Sequence, residues 1–235
     1  MPFDLKKRFE NYIEPWEALS FGATFFFQAI KPGAATYTRG RDQAFASWYK
    51  TLGHHFSAFE AGTTVPDLVA ACRGVVLELG PATGNQLPRF TIPNLTHVYG
   101  IEPNNAFVDS LQEKITETGL ESMYTPITCG IEDVDVLETC GITEGSAECL
   151  LSIQVLCSVA RPEEAAKAIY RLLKVQVGGC RLSRPTKEIL LQSGDWEVIE
   201  MDGDEEPWSL FPRVWGRLRK LDDKESRLQK SSSSS

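Results

Sequence analysis

The chain has 235 residues, 42% of them hydrophobic and 24% charged, with a formal net charge of -8. This length suits one large domain or a domain with an appendage, and the composition is that of an ordinary globular protein. The acidic excess gains nothing from a phosphate backbone, so no nucleic-acid partner is expected; the nearest approach to a basic patch, Arg213, Arg217, Arg219 and Lys220, also reads as a charged strand edge.

Residues 1–70 show no obvious strand, and aromatics recur through them. The uncharged stretch 18–30 holds four Phe. It is too short to span a bilayer, which takes about 20 apolar residues. Two readings stand: core or pocket cover, and peripheral contact with a membrane surface. Pro32-Gly33 breaks the run. A helix is predicted over Asp42–Phe59, with Phe45, Trp48 and Tyr49 on one face. His54 and His55 fall on it.

From residue 74 onward strands and helices alternate. Val75–Leu79 is a β-rich apolar run suited to a central parallel strand. Val98–Ile101 is a second strand. Ala106–Thr118 follows as a helix, with Phe107, Leu111 and Ile115 at spacing four and Gly119 as its C-terminal cap. Tyr124–Cys129 and Cys149–Ile153 are the third and fourth strands. Pro162-Glu163-Glu164 opens a helix that Arg171 and Lys174 close. Trp196–Met201 and Arg213–Leu218 form an antiparallel hairpin around a polar loop. The chain from Leu221 to its five final serines reads as a disordered tail. The expected fold is α/β: a Rossmann-like, doubly wound, mostly parallel sheet with an antiparallel C-terminal hairpin and a helical N-terminal extension. Its divisions are 1–70, a helical extension that covers substrate; 71–220, the cofactor domain; and 221–235, the tail.

Cys72, Cys129, Cys140, Cys149, Cys157 and Cys180 make no CxxC pair and no zinc-like spacing, so no metal is expected. The N-terminus lacks the apolar core and cleavage site of a signal peptide. A cytoplasmic protein with reduced thiols is the expectation, with membrane association depending on residues 18–30.

The run Leu77-Glu78-Leu79-Gly80-Pro81-Ala82-Thr83-Gly84-Asn85 carries the chemistry. A strand, a small-residue loop and an acid some 20 residues later, Glu102, outline a nucleotide-type cofactor site. Dinucleotide loops read G-x-G-x-x-G because pyrophosphate rests on backbone N–H groups. Here the small residues fall at 80, 82 and 84, and position 85 is Asn. Glu78 suits a cationic ligand better than a pyrophosphate. A nicotinamide-dependent oxidoreductase is therefore disfavoured.

The chain resembles the class I S-adenosylmethionine-dependent methyltransferases. Glu78, Gly80, Ala82 and Gly84 match their first motif, with Ala at the middle glycine. Glu102, in Glu102-Pro103-Asn104, matches the acid that holds the ribose. The resemblance places Gly130, Ile131 and Glu132 beside the adenine, and Gln154, Val155 and Leu156 facing the methyl group. Asn85, Pro103 and Asn104 join the implied cofactor-binding set, and S-adenosylmethionine is the implied cofactor. A closer resemblance is to the small methyltransferase-like thiol methyltransferases and their fungal secondary-metabolism relatives. It rests on Leu77–Gly80 with Thr83-Gly84, Glu102–Asn104, Val155–Val159, Gly179-Cys180 with Leu182 and Arg184, and Trp215-Gly216. Those relatives follow the Arg-Leu-Leu-Lys helix end with Pro-Gly-Gly, a strong strand and more helix. Here Lys174 runs straight into Val175-Gln176-Val177, so a full strand five and its helix are expected to be missing, with at most a stunted edge from 175–177 and 178–182.

The leading expectation is a methyltransferase acting on a small, apolar thiol, amine or hydroxyl. The alternative is a catalytically impaired module that binds through the same fold. No catalytic residue can be named; Tyr37, Trp48 and Gln154 are the candidate substrate contacts.

Overall fold

A computed structural model of the chain describes Thr24 and residues 37–174, 179–182, 186–203, 214–222 and 225–226. Helix α1 spans Tyr37–Ala61 and α2 Val65–Ala70. Strand β1 (Gly74–Leu79), β2 (Leu95–Ile101), α3 (Val108–Glu117) and β3 (Tyr124–Ile127) follow. Then come α4 (Val134–Thr139), β4 (Cys149–Ser152), α5 (Pro162–Leu172), β5 (Gly179–Leu182), α6 (Thr186–Gln192), β6 (Trp196–Gly203) and β7 (Val214–Lys220). The seven strands form one sheet in the order β3-β2-β1-β4-β5-β7-β6. The first five strands pair in parallel, and β7 runs antiparallel to both β5 and β6. The chain order reverses between β1 and β4, which opens the crevice where such sheets take ligands.

The sheet is buried on both faces. On one, Leu77, Leu79 and Ile101 pack with Ala165, Ile169 and Leu172 of α5. On the other, Val76, Val98 and Leu151 pack with Leu111 and Ile115 of α3. Side chains alternate along a strand, so Glu78 shares the face of Val76 and Leu111.

Most of the predicted helices and strands are present, with ends shifted by a few residues. Three short helices were not predicted: α2, α4 and α6. Strand five is present but stunted. It has four residues and meets β4 at Ser152–Cys180, yet pairs with β7 from Gly179–Arg217 to Leu182–Val214. The expected loss of the following helix is corrected. Thr186–Gln192 is helical because Leu190 is buried in the α5-side core and Ile189 and Leu191 pack against it. Thirteen residues between Leu182 and Trp196 suffice for that turn, so β5 covers the edge of β4 with the hairpin beyond it.

Of the basic residues near the C-terminus, Arg213 lies outside the described residues and the other three have local partners. Arg217 pairs with Glu200 at 2.9 Å, and Arg219 with Glu197 at 2.5 Å and Glu225 at 3.0 Å. Lys220 donates to the Tyr170 and Leu173 carbonyls. Of the segment read as a tail, Leu221 is buried and its N–H bonds the Asp195 carbonyl; residues 227–235 lie outside the described residues. The stretch 18–30 lies there too, apart from Thr24. Among the described residues, no helix is long and apolar enough to cross a membrane.

One cross-strand contact organises the sheet beside the crevice. Gly100 of β2 stands opposite Glu78 of β1. Its missing side chain lets the Tyr124 ring of β3 lie across β2, where the Tyr124 hydroxyl donates to Glu78 Oε2 at 2.7 Å. A Cβ at position 100 would overlap that phenol. Gly100→Ala is expected to lower stability by about 1–3 kcal/mol, read as a fall in Tm; an unchanged Tm would show that the ring has room to move.

Candidate functional site

The site lies at the carboxyl end of β1, beneath α1. The loop after β1 needs its glycines. Gly80 has φ +58°, and a Cβ there would sit 2.6 Å from Val155 Cγ2. Ala82 holds φ +50° despite its side chain, a conformation that disfavours L-residues by roughly 1–2 kcal/mol. Its N–H donates to Glu102 Oε2 at 3.1 Å. The acid at the end of β2 thus ties the loop down, while its Oε1 accepts from the Asn104 N–H at 2.9 Å. Burial raises the Glu102 carboxyl above its ordinary range, and these two hydrogen bonds oppose the rise. A carboxylate offers about four lone-pair sites, so capacity for a ligand's hydroxyls is left.

Glu78 is 2% exposed. Its Oε2 is taken by Tyr124, but its buried Oε1 has no hydrogen-bond partner among the described residues. Burial pushes its carboxyl up to about 7, the Tyr124 bond pulls it down, and the charge of Glu102 adds to the rise. An orphaned buried acceptor is costly and fits a cationic donor arriving from outside.

Helix α1 roofs the site and is bonded to each strand end below it. Asn104 Nδ2 donates to the Asp42 carbonyl at 3.0 Å, and Asn85 Nδ2 to the Tyr49 hydroxyl at 3.1 Å and the Gly53 carbonyl at 3.3 Å. Near its end Glu60, 3% exposed, accepts from Arg89 at 2.6 Å, Gln86 at 2.9 Å and Gln154 at 3.1 Å. Burial is the main cause that pushes the Tyr49 phenol up to about 12, with Glu60 next. Tyr49, Glu60, Glu78, Gly80, Asn85 and Gln154 line one cleft.

The structure therefore brings Glu78, Gly80, Asn85 and Gln154 to one cleft, with Ala82, Gly84, Glu102 and Asn104 in the loop and strand end beside it. Pro103 is exposed next to Glu102. Gly130, Ile131 and Glu132 lie past the end of β3; the Gly130 N–H bonds Asp133, Ile131 is buried, and Glu132 meets Arg161 at 3.8 Å. Leu156 is a core residue. Trp48 stacks on Phe45 at 5.8 Å and lies outside the cleft lining, which its neighbour Tyr49 joins. Tyr37 begins α1, and its side chain is outside the described residues. Among the described residues no cluster could hold a metal ion.

Sequence reasoning missed Glu60, Gln86, Arg89 and Tyr124. Gly100 inside an apolar strand was a legible signal for the last, since such a glycine marks a close approach. Nothing local links Glu60 to Arg89.

The folded-state pKa of Glu78, about 7, exceeds the unfolded value of 4.5. This group's contribution to stability is full below pH 4.5 and is lost as pH rises to 7, on the order of 3 kcal/mol. Glu78→Gln should raise the Tm of the ligand-free protein at pH 8 and flatten its pH dependence between those values, while weakening cofactor binding. A Tm that falls, with affinity unchanged, would contradict this account of Glu78.

Residues 77–177 match the family model described as a methyltransferase domain. No curated protein matches the sequence. Solved structures match the fold. The N-methyltransferase NodS from Bradyrhizobium japonicum WM9, in complex with S-adenosyl-L-homocysteine, is 13% identical, with 74% of this chain and 98% of that one covered at a TM-score of 0.56. A TehB-like SAM-dependent methyltransferase from Corynebacterium glutamicum is 16% identical over 76% of this chain and 99% of its own, also at 0.56. The 4+2 cyclase SpnF is 14% identical over 81% and 84%, again at 0.56. The alternate-residue loop, the two strand-end acids and the strand order agree with the match of residues 77–177 to a methyltransferase domain.

Proposed function

We propose that this chain moves a methyl group from S-adenosylmethionine to a small, apolar acceptor bearing a thiol, amine or hydroxyl, in secondary metabolism. The observation that carries the cofactor half is Glu78 Oε1, a buried acceptor without a partner among the described residues, at the loop of the first motif. It suits the cofactor's ammonium. Glu102 would hold the ribose, and the loop from Gly80 to Gly84 would let the cofactor approach the backbone. Gly130, Ile131 and Glu132 would border the adenine, and Gln154 and Leu156 would lie toward the methyl. When bound, the cofactor supplies an electrophilic methyl on a sulfonium.

The chain's own part is alignment and exclusion of water. Helix α1 closes over the cleft through Tyr49 and Glu60, and its aromatic face (Phe45, Trp48, Tyr49, Phe56) supports an apolar acceptor. Residues 1–70 then act as a substrate cover, 71–220 as the cofactor domain, and Tyr37 and Trp48 are retained as substrate contacts at its edge. The reading places the protein in the cytoplasm, with residues 18–30 as the segment that could touch a membrane. The fold also serves the cyclase SpnF, so the second reading is a module that binds without methyl transfer. The short β5, which leaves the substrate wall thin, favours it.

Calorimetric titration should give micromolar affinity for S-adenosylmethionine and its demethylated product; a flat trace with both contradicts the proposal. Glu102→Ala should weaken binding at least tenfold, and unchanged affinity would remove the ribose assignment. The bound ammonium requires ionised Glu78, whose free pKa is about 7. Affinity should therefore be level above pH 7 and fall toward tenfold per pH unit below it. Affinity that is flat from pH 5.5 to 8 would exclude that role.

A further inference from the structure

Gln154 is a non-glycine residue at φ +61° just past the end of β4. Such backbone strain persists only where surroundings fix it, and it gathers at functional sites. The Gln154 carbonyl accepts from the Cys157 thiol at 3.6 Å, and its side chain is fixed by Glu60: Gln154 Nε2 donates to Glu60 Oε1 at 3.1 Å. Glu60 is held in turn by Arg89 and Gln86 on its other oxygen. A carboxylate paired with a guanidinium offers only lone pairs. Gln154 must therefore turn its NH₂ toward Glu60, and the amide cannot flip. Its Oε1 accepts no hydrogen bond from the described residues, and Gln154 is part of the cleft lining.

We propose that Glu60 is a positioning residue that fixes Gln154 Oε1 as an acceptor for an N–H, and that the methyl acceptor is a neutral amine. The proposal rests on the cofactor reading above. The charges in the cleft select among the three nucleophiles. A thiolate would face an amide oxygen and the Glu60 and Glu78 carboxylates, all of them negative. A hydroxyl would need its proton removed during transfer, but the Tyr49 phenol stays protonated with its pKa near 12, Glu60 is ion-paired, and Glu78 is committed to the cofactor. A neutral amine needs no base at that moment. Its lone pair forms the C–N bond, the C–S bond breaks with its electron pair passing to sulfur, and the positive charge moves from sulfur to nitrogen. The ammonium product then loses a proton to water. One N–H remains throughout to bond Gln154 Oε1. This preference differs from the thiol class that the closer sequence resemblance implies.

The test uses the full-length protein saturated with S-adenosylhomocysteine at pH 7.5, titrated calorimetrically with aniline, phenol and thiophenol, which share a ring and differ in the nucleophile. Aniline should bind at least tenfold tighter than thiophenol. Gln154→Leu, which leaves the Glu60–Arg89 pair intact but lowers Tm by taking the donor from Glu60 Oε1, should erase that preference while S-adenosylhomocysteine still binds. Glu60→Gln loses the ion pair and some stability but keeps a carbonyl acceptor for Gln154 Nε2, so it should keep most of the preference; Glu60→Ala should lose it. Turnover of aniline, read as S-adenosylhomocysteine formed from S-adenosylmethionine, should fall at least tenfold in Gln154→Leu with KM for the cofactor unchanged. A tie between the probes, a lead for thiophenol, or a preference that survives Gln154→Leu overturns the proposal and leaves the cofactor reading standing. Failure of the wild-type protein to bind S-adenosylhomocysteine overturns both.

Discussion

A buried carboxylate with one satisfied oxygen sets the terms for this site. Glu78 sits near the end of β1, bonded by Tyr124 through Oε2 and by none of the described residues through Oε1. Evolution does not keep such a group for stability, since an uncompensated buried acceptor costs about 1–3 kcal/mol. Much of the neighbouring architecture exists around it. Gly100 is bare so that Tyr124 can cross β2, and Gly80 is bare so that the loop can turn away beneath Val155. Glu102 spends both oxygens on backbone N–H groups of the loop and its own strand end, which fixes the loop beside Glu78. A site built this way is incomplete until a cation supplies the missing donor.

The second constraint is the roof. Helix α1 is bonded to the ends of β1, β2 and β4 through Asn85, Asn104 and Gln154. Each of these bonds starts from a cofactor-site segment, so the helix's position and the shape of the cleft are coupled. The Glu60–Arg89 pair, with side chains 4% and 15% exposed, anchors the far end. Breaking one partner of a buried pair leaves an uncompensated charge and costs about 3–5 kcal/mol. That anchor makes the roof a rigid wall and holds Gln154 in a backbone conformation that few side chains adopt.

Local signals made much of this legible in the sequence. The β-rich run at 75–79, the spacing of 80, 82 and 84, and the acid at 102 are adjacent in the chain and report on backbone geometry at short range. The periodicity of Phe107, Leu111 and Ile115 reported α3 in the same way. What escaped depends on distance in the chain. Glu60 meets Arg89 across 29 positions and Gln154 across 94, and no spacing rule joins them. Strand five was legible only as a stunted edge, because four residues carry little pattern, and its pairing with β7 extends along its whole length. Trp48 and Tyr49 are neighbours on α1, but a one-residue step moves a helical side chain by about 100°, and Tyr49 lines the cleft.

The central claim is that Glu78 gives up its proton to receive a cofactor ammonium. The direct measurement is proton release on binding, from calorimetric titration of S-adenosylmethionine at pH 6 in two buffers of different ionisation enthalpy. Glu78, with a pKa of about 7, is mostly protonated in the free protein at that pH. The account predicts release of nearly one proton per molecule bound, absent in Glu78→Gln. Binding with no proton released, or with one taken up, would contradict it.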